Sequence, residues 1–257
     1  MLAWHPGAAA PGFGQGAERV CCPAGPVSYA IGMTTSAAEG AAIAVALISA
    51  LDHDRFPPPD AWKAAPPVSF DADWQGQNRD PLRATEVRLL WNRESLFLRF
   101  RCRYRNMTTF SDSESDGRRH GLWDRDVAEV FLQPHPSDPR RYWEFEISPD
   151  GKWIDLDIVL GEKAPGHHGN PRSGMLGRVQ VDEAQKIWTA DMALPLDSLT
   201  PDFDPGEVWR VNFFRVEGPA EPRFYSSWRP TKSPQPNFHV PEAFGKLSFR
   251  RAASDVL

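Results

Sequence analysis

Cysteine is scarce in this chain. Three occur in 257 residues, and Cys21 and Cys22 are neighbours in a leader rich in Pro and Gly. That spacing makes neither a disulfide framework nor a zinc motif. Cys102 alternates with Phe100 and Tyr104 and is expected to face a core. Long apolar runs are missing too: none reaches the roughly 18 residues that a membrane helix needs. The run AAIAVALISAL, Ala41 to Leu51, has the length of a signal peptide. No Lys or Arg lies between Met33 and it, however, and the following LDHDRF offers no convincing cleavage site, so it reads as a first strand. A basic excess is also absent. The formal net charge of −5 argues against a nucleic-acid partner and leaves neutral ligands open. There is no Gly-rich phosphate loop, nucleophile motif or axial His/Met pair for haem. His167 and His168 are adjacent in a Gly/Pro loop and point in different directions, which argues against a shared metal site. Internal repeats and amphipathic helices of useful length are lacking.

What the chain has is turn formers and tryptophan: 25 Pro, 19 Gly and ten Trp. The first suggests many short strands; the second calls for a β core or an aromatic platform. Residues 1 to 40 hold no apolar period and are expected to be a disordered or over-long leader, with Met33 a possible start. Phe56 to Phe70 carries prolines at 57, 58, 59, 66 and 67, which forbid a helix; Trp62 is expected to plug a core. Thr85 to Trp91 and Ser95 to Tyr104 pair about a turn. In the second run Leu96, Leu98, Phe100 and Cys102 share one face, and Phe97, Arg99, Arg101 and Arg103 the other. Asn106 to Gly121 is a long polar loop.

That loop leads into LWDRDVAEVFLQP, Leu122 to Pro134. Val127, Glu129 and Phe131 fall on one strand face, Ala128, Val130 and Leu132 on the other. Glu129 is an acid among apolar neighbours and needs a partner. The hairpin Arg141 to Leu160 turns at Ser148-Pro149-Asp150-Gly151. Pairing Ile147 with Ile154 puts Glu144, Glu146, Asp155 and Asp157 on one face and the apolar residues on the other. Two strands follow about a turn near Glu183 to Gln185. Then come a helical turn within DSLTPDFDPGEVW, a strand from Trp209 to Gly218, and a last strand at LSF. Together these predict an all-β antiparallel sandwich over residues 41–250, with a tail from 251.

The pieces VRLLW, SLFLRF, LWDRDVAEVFL, YWEFEISPDGKWIDL, IWTADMALPLDSL, WRVNFFRVE, SWRPT and FHVPEAFGKLSF occur in an order that resembles carbohydrate-binding module family 9 and its DOMON-like relatives. The resemblance implies a non-catalytic sugar-binding β-sandwich whose characterised members hold glycan ends between two tryptophans. It makes no cofactor obligatory, though several members carry structural calcium. It suits an extracytoplasmic protein working beside a separate glycan-degrading enzyme in carbohydrate catabolism. By this resemblance Trp123 is the first stacking ring and Phe238 stands where the family has its second tryptophan. Glu129 is the hydroxyl acceptor, and Gln235 a polar ligand position. Glu146 replaces the family's arginine. Arg229 and His239 flank the closing segment as candidate donors.

Each residue also has a plainer reading. Trp123 and Phe238 suit core or loop packing, and Glu129 a salt bridge to Arg215 or Arg210. The four hairpin acids suit a solvated face opposite Arg99, Arg101 and Arg103. Two further readings of those acids stay open: calcium, and glycosidase chemistry at O-glycosyl bonds, since their spacings span both known carboxylate separations.

Overall fold

A computed structural model describes residues 41–47, 49–161, the backbone of 166–167, and 172–251. The leader with its two cysteines, the side chains of His167 and His168, and the tail after 251 lie outside the described residues. No helix among the described residues is long and apolar enough to cross a membrane. The strands are β1 (Ala41–Ala46), β2 (Val68–Phe70), β3 (Thr85–Trp91), β4 (Ser95–Arg103), β5 (Val127–Gln133), β6 (Arg141–Ile147), β7 (Trp153–Val159), β8 (Gly166–His167), β9 (Leu176–Asp182), β10 (Ile187–Pro195), β11 (Val208–Glu217), β12 (Phe224–Ser227) and β13 (Gly245–Arg250). Among the described residues, helix is limited to the single turn α1 (Leu196–Leu199) and short 3-10 turns, one of them at Pro59–Ala64.

The main path of the sheet runs β8-β7-β6-β5-β11-β13-β1-β3-β4-β10-β9, with β12 added to β11 and β2 to β3. Its two halves share one core. Ala128, Val130, Leu132, Phe145, Ile147, Val211 and Phe213 come from one half, Leu89, Leu98, Phe100, Trp188 and Met192 from the other. The all-β sandwich is therefore present, and Cys102 is buried in it. It is not antiparallel throughout: β1 runs parallel to both β13 and β3. Parallel neighbours need long connections. Here the first and last strands of the sheet meet, so the pairing is set by topology rather than by any local turn.

The outer face of each half is covered as well. On β3, β4 and β10, Phe56, Trp62 and Ala65 pack over Leu90, Phe97 and Ala193. Arg99 there forks onto Asp191 at 2.7 and 2.8 Å, with its guanidinium over the Trp62 ring. Arg101 and Arg103 are exposed. The expected pairing of this arginine face with the hairpin acids is thus absent.

The hairpin register also differs from the expected one. Ile147 faces Trp153, Glu146 faces Ile154, Phe145 faces Asp155 and Glu144 faces Leu156. The turn explains the one-residue slip. The Gly151 amide donates to the Ser148 carbonyl (3.0 Å) and the Ser148 amide to the Lys152 carbonyl (2.8 Å). Gly151 sits at φ +85°, so two residues oppose one, as in a glycine bulge. The four acids are consequently split between the two faces, and all are buried. Asp155 and Asp157 lie on the face of Phe145. Glu144 and Glu146 lie on the opposite face, with Ile154, Leu156 and Ile158.

Candidate functional site

That opposite face continues onto β5 through Val127, Glu129 and Phe131, and onto β11 through Phe214 and Val216. The β5–β6 register sets Glu129 directly opposite Glu146, and Phe131 opposite Glu144. Like charges placed directly across a ladder repel, and these three lie close. One carboxylate oxygen from each of Glu129, Glu144 and Glu146 falls within 4.8 Å of the others. Burial raises the Glu129 carboxyl well above its ordinary value, and Glu144 adds to the rise while Arg223 opposes it. Burial does the same to Glu146, reinforced by Glu129 and then Glu144.

Two segments wall this floor. The loop before β5 ends in a 3-10 turn, Leu122–Asp124, that follows Gly121 in left-handed backbone (φ +74°). Leu122 is buried beneath it and Trp123 is half-buried at the rim. Asp126 anchors the loop by accepting from the Gly218 amide (2.8 Å) and the Thr108 amide (3.2 Å). The closing segment supplies Phe238, whose ring stacks on Phe214 at 4.2 Å, and His239, whose Nδ1 lies 2.7 Å from the Tyr142 hydroxyl. Arg223, just before β12, holds the first wall by donating to the Trp123 carbonyl at 2.7 Å.

Between the walls lies a cavity of about 230 Å³, lined by Trp123, Glu129, Glu144, Phe238, His239 and Arg223 among others. Four residues expected from sequence are thus brought together: Trp123, Glu129, Phe238 and His239. Glu146 is fully buried opposite Glu129 and is not part of the cavity lining. Gln235 is exposed outside the lining. Arg229 is also outside it, with its backbone held by Asn212. The salt-bridge readings of Glu129 fail. Arg215 faces Ala128 across the ladder and pairs with Glu217 at 3.2 Å. Arg210 donates to the carbonyls of Glu242 and Phe244.

The sequence reading missed Arg223 and Tyr225 of the lining, because RFYSS was not resolved as a strand. Its alternation, Arg223 and Tyr225 toward the cleft with Phe224 between, was the available signal. Glu144 was read as one of four equivalent acids. Only the bulged register separates it from Asp155 and Asp157.

The sequence pattern of carbohydrate-binding family 9 matches residues 82–249, well over half of the chain. The chain belongs to carbohydrate-binding family 9. An extracellular protein of Arthroderma benhamiae is 28% identical over 223 residues, covering 81% of this chain and 96% of that protein. The UPF0462 protein C4orf33 homolog of Rattus norvegicus is 25% identical over half of this chain, which spans 61% of that protein's length. Among solved structures, a family 9 module from Caldicellulosiruptor kristjanssonii in complex with cellotriose superimposes with a TM-score of 0.54 at 9% identity, covering 84% of this chain and 97% of the module. At that identity the family 9 likeness in structure is one of fold.

Proposed function

We propose that this family 9 domain binds a carbohydrate in the cleft between Trp123 and Phe238, with Glu129 accepting from sugar hydroxyls. The observation that carries the reading is Glu129 itself. Its carboxylate borders the cavity, and no described residue hydrogen-bonds it or pairs with it. A carboxylate held in an apolar wall needs donors from outside the protein, and vicinal hydroxyls supply two at a matching spacing. The aromatic rims suit the C–H faces of a pyranose. The cavity is smaller than the roughly 300–1,000 Å³ of drug-sized pockets, which fits a short stretch of glycan. In this reading the chain supports carbohydrate catabolism by holding substrate for a separate enzyme. Calorimetric titration with glucose and cellotriose, and with a wider set of oligosaccharides, tests it; failure of every sugar to bind would overturn it.

A second reading is glycoside hydrolysis, favoured by one observation. Glu129 and Glu144 both line the cleft, and their oxygens lie within the roughly 5 Å of a retaining pair. Asp155 is removed from any such pair, since it is fully buried on the other face and bound to Arg118. Turnover of an aryl glycoside that is lost in both Glu129→Gln and Glu144→Gln would establish hydrolysis in place of simple binding.

A further inference from the structure

Among the described residues, buried acids are hydrogen-bonded, with one exception. Asp155 meets Arg118 at 3.2 Å and the Ser173 amide at 2.7 Å. Asp157 takes a two-pronged contact from Arg141. Asp191 is held by Arg99 and Arg178, and Glu217 by Arg83 and Arg215. The exception is the group of Glu129, Glu144 and Glu146. Both Glu146 oxygens and Oε2 of Glu144 are enclosed, with no hydrogen-bond partner among the described residues. The nearest basic side chain to any of them is the His239 imidazole, 4.0 Å from Glu144, and its Nδ1 is engaged with Tyr142. Arg223 is committed to the Trp123 carbonyl and to Glu221.

We propose that Glu129, Glu144 and Glu146 hold a hard divalent cation of the calcium class at the floor of the cleft. The donors are all carboxylate oxygens, the set that calcium and magnesium take in preference to softer metals. Calcium sits roughly 2.3–2.6 Å from its oxygens, so two ligands of one ion lie at most about 5 Å apart. The three oxygens here meet that limit at 4.8 Å. Glu146 is fully buried outside the cavity lining, while Glu129 and Glu144 border the cavity. Calcium takes 6–8 oxygens, so positions toward the cavity remain for water or for neighbouring hydroxyls of a sugar. That last step rests on the carbohydrate reading; the cation site does not.

The rival occupant is a shared proton. Two carboxylates hydrogen-bond only when one is protonated, and Glu144 and Glu146 are close enough to do so. A third occupant is the ammonium of an amino sugar. The full chain, stripped with EDTA and dialysed, is titrated calorimetrically with CaCl2, MgCl2 and MnCl2. Terbium luminescence excited through tryptophan gives a second readout, and the melting temperature a third. The expected result is one ion per chain, a raised melting temperature, and at least tenfold weaker binding in both Glu144→Gln and Glu146→Gln. Glutamine keeps the shape and removes the charge. Should Glu146→Gln fail to fold by circular dichroism, Glu144→Gln and Glu129→Gln carry the comparison. No binding at millimolar cation overturns the proposal and leaves the proton as occupant. Cation binding that is unchanged in the variants also overturns it, because the ion then sits elsewhere. Glucosamine binding in EDTA that is lost in the same variants assigns the carboxylates to an ammonium and overturns it too. Every cation arm is read without sugar, so its failure is separate from failure of sugar binding.

Discussion

Three glutamates on two neighbouring strands carry most of what is unusual here. Their residue types were plain in the sequence, but their shared position was not, because it depends on the β5–β6 register that sets Glu129 opposite Glu146, while the bulge at Gly151 moves Asp155 and Asp157 to the other face. Glu129 was legible as an acid that needed a partner; its freedom from Arg215 followed only from the β5–β11 register. Two predictions belong at this scale. Removing the Trp123 ring should weaken sugar binding by about 2 kcal/mol, roughly thirtyfold. Titration calorimetry of Trp123→Ala beside the wild type checks it, with melting curves to confirm the fold. The second concerns pH. Glu129 and Glu146 keep protons in the folded chain above the ordinary carboxyl value of 4.5. The unfolded chain then binds fewer protons than the native one, and stability falls as pH rises through that window. In EDTA the melting temperature should therefore drop as pH rises above the ordinary carboxyl value, and Glu146→Gln should flatten the drop. The paired carboxylates held low, such as Asp80 beside Arg105, act below that window with the opposite sign.

The hairpin and the covering loops decide the rest. Alternation made β4 and β5 readable because each puts a continuous apolar stripe on the shared core. It failed on β6 and β7, where both faces are covered. Buried acids on either side erased the contrast that fixes a register. On the core side the acid is neutralised within the fold: Arg118, itself buried, reaches from the long loop to Asp155. Arg118→Met should leave Asp155 buried without its cation and cost about 3–5 kcal/mol in urea denaturation. Gly151 carries the turn in left-handed backbone with nothing within 4 Å of an added Cβ. Gly151→Ala should therefore cost only the conformational strain, about 1–2 kcal/mol, and leave sugar affinity unchanged by calorimetry.

At the scale of the molecule, the sandwich was foreseeable from turn density and period, while the strand order was not. The parallel partners of β1 lie at opposite ends of the sheet's sequence, and no local pattern announces such a meeting. The cleft is likewise a product of topology. The loop before β5 and the segment after β11 are far apart in the chain and are brought together because β5 and β11 are neighbours in the sheet. A ligand that binds only the folded chain adds about 2.7 kcal/mol of stability at a hundredfold excess over its Kd, so a true sugar should also raise the melting temperature. The most direct measurement is a glycan array probed with the full chain displayed multivalently, wild type beside Trp123→Ala, in calcium and in EDTA. The wild type is expected to bind a defined set of glycans that Trp123→Ala loses. An array on which nothing binds, or on which Trp123→Ala binds the same glycans equally well, would contradict this expectation.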